Sequence, residues 1–146
     1  MIRILIIEDN EERIDLFKQW TPADAQAIFV RSAGRAVRVI ELDKGSVYAG
    51  VCLDHDLDEQ VILSEEKGVN GVEVVRRIVR NISLDVPILV HSMNFSGGTS
   101  MVRMLQAQGF AVTRVPFKHL DEIVFLDWID NVRAEWEYSR ARGDRQ

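Results

Sequence analysis

The 146 residues predict an α/β fold, with five parallel strands in one sheet and helices on both of its faces. Three observations carry this expectation. Short, nearly continuous apolar runs recur along the chain, and such runs suit strands covered on both sides. Between them, apolar residues fall three and four apart, which is the helical period. Each crossover is long enough to bring the chain back for a parallel neighbour.

The elements follow in order. Ile2 to Ile7 is the first strand, and it ends at Glu8-Asp9-Asn10. Ile14, Leu16, Phe17 and Trp20 mark a helix from Glu11 to Trp20, stopped by Pro22. Ala27 to Val30 is the second strand. Ser32 is placed to cap a helix from Ala33 to Asp43, with Ala36, Val37 and Ile40 inward and Gly45 beyond its end. The third strand, Val47 to Leu53, stops at Asp54-His55-Asp56. A polar loop with Glu65, Glu66, Lys67 and Gly68 follows, and helix resumes near Gly71, with Val72, Val75, Ile78 and Val79 at helical spacing and Asn81 at the exit. Val86 to Val90 is the fourth strand and runs into His91-Ser92-Met93-Asn94. Gly97-Gly98 reads as a turn, Thr99 as the cap of a helix from Ser100 to Gln108, and Gly109 as its stop. Ala111 to Val115 is the fifth strand, broken by Pro116. Asp121 caps a last helix over about 120–140, with Leu120, Val124, Trp128, Val132 and Trp136 on one stripe. No linker or repeat interrupts this order, so residues 1–146 read as one domain.

Composition narrows the function classes. At 47% hydrophobic and 28% charged, the chain can build a core and is not of the disordered class. A net charge of −5 without a dominant basic face argues against broad nucleic-acid or membrane affinity. From Arg133 to Gln146, arginines alternate with Glu135, Glu137 and Asp144; this reads as a solvated helix end, with a docking tail as the alternative. The single cysteine, Cys52, lies in an apolar run and reads as a buried thiol. The opening apolar run is too short for a signal peptide or a membrane span, so a cytoplasmic protein with no membrane partner is expected. Trp128, Trp136 and Tyr138 give the last helix much aromatic surface; core packing explains it, and a homodimer is the alternative.

In parallel sheets ligands bind beyond the carboxyl ends of the strands. There this sequence places Glu8-Asp9, Asp54-His55-Asp56 and His91-Ser92, with its third histidine, His119, after strand five. Carboxylates gathered at one edge repel each other and call for a cation, a proton or solvent. Oxygen donors suit magnesium, calcium or manganese, and nearby His55 and His91 extend the choice to transition metals. The competing reading is helix capping, for which Asp9, Asn10 and Asp58 are placed. His55 and His91 suit a general acid–base pair, because imidazole titrates near neutrality. Ser92 suits orientation of a phosphate oxygen better than nucleophilic attack, since no base is placed beside it. Asn94 and the Gly97-Gly98 backbone are candidates to bind phosphate oxygens at a helix N-terminus.

These residues resemble a response-regulator receiver. Glu8-Asp9 after strand one, Asp54 after strand three and Ser92 after strand four match that family's acidic pair, phosphoacceptor and hydroxyl positions, and Val86-Pro87-Ile88-Leu89-Val90 is similar to its fourth strand. The resemblance implies a flavodoxin-like fold and a magnesium site at Glu8, Asp9 and Asp54. The chain departs from the pattern after strand five. Receivers carry a lysine directly before the proline there; here Val115 precedes Pro116, and Lys118 comes later, close enough in sequence to reach back toward a phosphoryl group.

A narrower resemblance covers the histidines. Leu53-Asp54-His55-Asp56-Leu57, followed by His91-Ser92-Met93-Asn94, Gly97 and Met101, is similar to the paired motifs of the cyclic-phosphate processing receivers. It implies a role in handling cyclic phosphates of nucleotides or RNA ends. Met101 reads as a packing residue. The leading expectation is a metal-dependent site, with magnesium or manganese on Glu8, Asp9 and Asp54. There His55, Asp56, His91 and Ser92 act on a phosphorylated small molecule or RNA end, and Ser92, Asn94, Gly97 and Lys118 hold its phosphate. One alternative is two-component signalling to a partner protein through phosphorylation of Asp54, and another is a non-catalytic cyclic nucleotide sensor.

Overall fold

In the computed structural model, residues 1–56 and 71–143 are described. Among these, the strands β1 (Ile2–Ile7), β2 (Ala25–Val30), β3 (Gly50–Leu53), β4 (Ile88–Val90) and β5 (Val112–Arg114) form one sheet in the order β2-β1-β3-β4-β5. Every pairing is parallel. The helices are α1 (Glu11–Trp20), α2 (Ala33–Leu42), α3 (Gly71–Asn81), α4 (Phe95–Ala107) and α5 (Glu122–Ala141), and a 3-10 turn spans Phe117–His119. This is the flavodoxin-like α/β arrangement. No described helix is long and apolar enough to cross a membrane.

The strands alternate sides in the way their continuous apolar runs require. Leu5, Ile7, Val51, Leu53 and Val90 point toward α2, α3 and α4, where they meet Ile40, Val75, Ile78 and Met101. Ile4, Ile6, Cys52 and Leu89 point the other way, toward Phe17 of α1 and Phe125, Trp128 and Val132 of α5. Both layers exclude water, and at ~25 cal/mol per Å² of apolar area this burial is the main drive for the sheet to form.

Several ends fall where the residues put them. The Asn10 side chain accepts the Arg13 N–H at 3.0 Å and so caps α1. Ser32 caps α2 through the Arg35 N–H at 3.2 Å, and Asp121 caps α5 through the Val124 N–H at 2.9 Å. Gly109, at φ +99°, follows α4 with the left-handed backbone that ends a helix.

Two expectations are corrected. β3 begins at Gly50, not Val47. Residues before it are used otherwise: Gly45 bridges to Ile82, Val47 is exposed, and the Tyr48 hydroxyl donates to Asp43 Oδ2 at 2.5 Å. The larger correction concerns α4, which starts at Phe95. Its cap is Asn94, whose Oδ1 accepts the Gly97 N–H at 2.8 Å, so Thr99 lies inside the helix and Gly97-Gly98 is its first turn. The polar loop with Glu65, Glu66, Lys67 and Gly68, together with Leu57, Asp58 and Asp144, lies outside the described residues.

The register decides the site. Ile7 pairs with Leu53, and Leu53 with Val90, so the last residues of β1, β3 and β4 stand in one row. The ladder continues one step further. The Asp54 N–H donates to Ile7 O at 3.2 Å and the His91 N–H to Leu53 O at 3.1 Å. Glu8, Asp54 and His91 are thereby brought side by side.

Candidate functional site

Each of these three residues is buried, with side-chain exposures of 0% for Glu8, 4% for Asp54 and 0% for His91. One ligand-type atom from each lies within 4.8 Å of the others. Glu8 is the most heavily bonded. Its Oε2 accepts the N–H groups of Asp9 at 3.0 Å and Asn10 at 3.1 Å, and its Oε1 lies 2.9 Å from His91 Nε2. Burial pushes the Glu8 carboxyl up, but the hydrogen bond and charge of His91, the Asn10 N–H and Arg13 outweigh it and hold the group below its usual value. Asp54 goes the other way. Burial and the neighbouring Glu8 charge raise its carboxyl, against the pull of His91, the His55 N–H at 2.8 Å and Arg13.

A carboxylate can only accept, so the bond to Glu8 puts a proton on His91 Nε2. Among the described residues nothing hydrogen-bonds its Nδ1. The ring is packed edge-on against Phe17 at 5.2 Å and sealed on a second side by Phe117 at 6.3 Å. This geometry changes the role assigned to His91. The ring is fully buried and its bond to Glu8 orients that carboxylate, which suits a positioning role.

His55 is the more accessible histidine, with 21% of its side chain exposed. Its Nδ1 lies 2.8 Å from Asp56 Oδ1, and Asn94 Nδ2 donates to the same oxygen at 3.3 Å. The His55 hydrogen bond, with help from Asn94, holds the Asp56 carboxyl below its usual range. The ring lies on the first turn of α4. A Cβ at Gly97 would come within 2.7 Å of three of its atoms, and one at Gly98 within 2.7 Å of the Arg114 guanidinium. These glycines therefore serve close approach of two side chains to a helix. The Gly97 N–H is taken up by the cap and the Gly98 N–H by Asn94 O at 2.8 Å, so neither is free to bind a phosphate as expected.

The remaining candidates separate. Ser92 is buried, and its Oγ accepts the Asn94 N–H at 3.0 Å, which shapes the loop between β4 and α4. Asp9 is buried beside Glu8 but does not join the converging group. Lys118 and His119 are exposed on the 3-10 turn, and among the described residues Lys118 makes no ion pair.

Sequence reasoning missed two arginines. Arg13 Nη1 lies 3.7 Å from both Glu8 Oε1 and Asp54 Oδ2. The available signal was its position: acids are favoured in the first turn of a helix, and a cation there opposes the dipole. Arg114, on β5, donates to the carbonyls of Ser92 and Asn94, each at 3.3 Å, and so pins the loop that carries them.

The donor set tests whether a divalent cation fits. Two carboxylates that follow adjacent strands offer hard oxygen donors, and Asp54 is raised first by burial and then by the Glu8 charge beside it. Such carboxylate donors suit manganese as well as magnesium, while the protonated His91 Nε2 orients Glu8 and is not itself a donor to the ion. These residues fit such an ion.

Comparison with known proteins agrees with this frame. The receiver domain of Thermotoga maritima CheB superposes with a TM-score of 0.63 at 16% identity, covering 92% of this chain and 96% of that one. A CheY-like receiver from Methanospirillum hungatei gives 0.65 at 14% identity, covering 94% and 98%. A chain from Rhodopirellula baltica described as adenylate cyclase gives 0.68 at 16% identity, covering 97% and 94%. At these identities the likeness is one of fold. No curated protein sequence matches the chain. The family model for the cyclic-phosphate processing receiver domain matches residues 3–107, a span holding Glu8, Asp54, His55, His91 and Asn94, and the chain belongs to that family.

Proposed function

We propose that the carboxyl edge binds a divalent cation, magnesium or manganese, at Glu8 and Asp54, and processes a phosphoester beside it. The observation that carries this reading is the convergence of Glu8, Asp54 and His91 within 4.8 Å, next to a His55–Asp56–Asn94 group open to solvent. The bound cation would polarise a phosphoryl oxygen and offset its charge. His91 keeps Glu8 turned toward the site, and Asp9 adds negative charge beside it.

His55 moves the proton. With Nδ1–H given to Asp56, its Nε2 carries the lone pair and acts as general base toward water, and the imidazolium so formed returns its proton to the ribose oxygen that leaves as the ring opens. Asp56 fixes the tautomer and stabilises the imidazolium that results. Such transfer contributes ~10²–10⁴-fold. Ser92 and Asn94 hold the loop and the His55–Asp56 pair in place. The ligand class is a cyclic phosphate of a nucleotide or an RNA end, which the family assignment favours.

The test is hydrolysis of 2′,3′-cyclic nucleotides by the manganese-loaded protein. His55→Ala is expected to lower turnover at least ~100-fold with the fold intact. A folded wild type that takes up the metal and leaves every cyclic phosphate unbound and unchanged would overturn the reading. Asp54 also directly follows β3, its Oδ2 3.7 Å from Arg13 Nη1, at the position that resembles a receiver's phosphoacceptor. Formation of an aspartyl-phosphate on Asp54 from a small phosphodonor, without ester turnover, would favour signalling instead.

A further inference from the structure

The geometry points to Arg13 as the phosphate-oxygen ligand of this site, held until then as a tethered counter-cation on the pair of carboxylates that binds the metal. The inference rests on the metal site proposed above. Arg13 Nη1 stands 3.7 Å from Glu8 Oε1 and 3.7 Å from Asp54 Oδ2, so one cation straddles both acids. Its position is built. The Asn10 cap fixes the Arg13 backbone in the first turn of α1, and the guanidinium lies over the Phe117 ring at 5.0 Å from its centre. Only 27% of the side chain is exposed.

Charge then orders the events. Glu8, Asp54 and Arg13 together carry one net negative charge, which repels a phosphate. With a divalent cation held by Glu8 and Asp54, this negative charge would be offset and the guanidinium would have to compete for the two carboxylates. Released from the acids but still on Phe117, Arg13 offers N–H donors whose planar geometry matches phosphate oxygens. Val115 stands before Pro116 where a receiver's lysine would be, and Lys118 makes no ion pair among the described residues; Arg13 supplies the charge instead.

Two titrations of the whole chain test this, read by tryptophan fluorescence, since Trp20 stacks on Phe117 at 5.8 Å. With magnesium alone, Arg13→Gln is expected to bind the ion at least about fivefold tighter than wild type, because its competitor is gone. With inorganic phosphate at saturating magnesium, the same variant is expected to bind at least about fivefold weaker. Arg13→Lys, which keeps the charge, falls between in both, and serves if the glutamine variant unfolds. Magnesium affinity unchanged or weaker in Arg13→Gln, or phosphate affinity unchanged, overturns the inference while the site reading stands. Failure of both wild type and variant to take up magnesium or manganese overturns the site reading and this inference together.

Discussion

Gly97→Ala is a sharp probe of how the histidine is seated. In the first turn of α4, exchange of glycine for alanine ordinarily stabilises a helix by up to ~1 kcal/mol. Here the added Cβ would lie 2.7 Å from Cγ, Cδ2 and Nδ1 of the His55 ring. That ring cannot swing aside without cost, because Asp56 holds it at 2.8 Å and Asn94 braces Asp56. Overpacking of this kind costs ~1–3 kcal/mol, so the net change is a loss of about 1 kcal/mol. In a His55→Ala background the obstacle is gone, and the same exchange is expected to stabilise. The coupling between the two positions is therefore about 2 kcal/mol, within the range found for residues in contact. At this chain length ~1 kcal/mol moves Tm by about 2–4 °C. Thermal denaturation of the four proteins, followed by circular dichroism, measures the cycle. A stabilising Gly97→Ala in the wild-type background would refute the packing of His55 on α4.

Two other predictions concern buried groups. Asp54→Asn is expected to raise Tm at neutral pH, because burial and Glu8 raise this carboxyl, so its ionisation opposes folding. A group raised in the folded state contributes stability below its folded pKa that is lost as pH rises through it; the advantage of the variant should therefore shrink on acidification, and a Tm difference that is constant with pH would contradict the assignment. Cys52 is fully buried between the layers, and burial pushes its thiol well above the usual range. It should resist a thiol reagent in the native protein and react promptly in denaturant, and rapid native labelling would mean that the layer on the α1 and α5 side is not closed.

Much of this protein is legible in its sequence because each strand is an apolar run and each helix has its own period. β1 and α1 could be bounded to the residue, since Glu8-Asp9-Asn10 ends one and Asn10 caps the other. Where local signals competed, they misled: Gly97-Gly98 looks like a turn, yet it is helix, because the Asn94 cap and the space needed by His55 and Arg114 override the low propensity of glycine. The candidate acids were visible for the same reason as the strands, as polar residues abruptly following apolar runs. What each does was not visible. His91 and His55 are equivalent as letters, and only packing against Phe17 and Phe117 closes one while Asp56 orients the other at the surface.

Composition and periodicity alone thus determine five strands, their helices and a polar carboxyl edge, because these depend on residues near one another in the chain. Tertiary structure decides which edge residues meet. The order β1-β3-β4 and the pairing of Ile7 with Leu53 and Leu53 with Val90 place Glu8, Asp54 and His91 in one row, though the first and last are 83 positions apart. Arg13 joins them because α1 packs Phe17 on the sheet face and so sets its first turn beside Glu8 and Asp54; a charge on a helix gains its meaning from the elements it faces, and no local pattern records that.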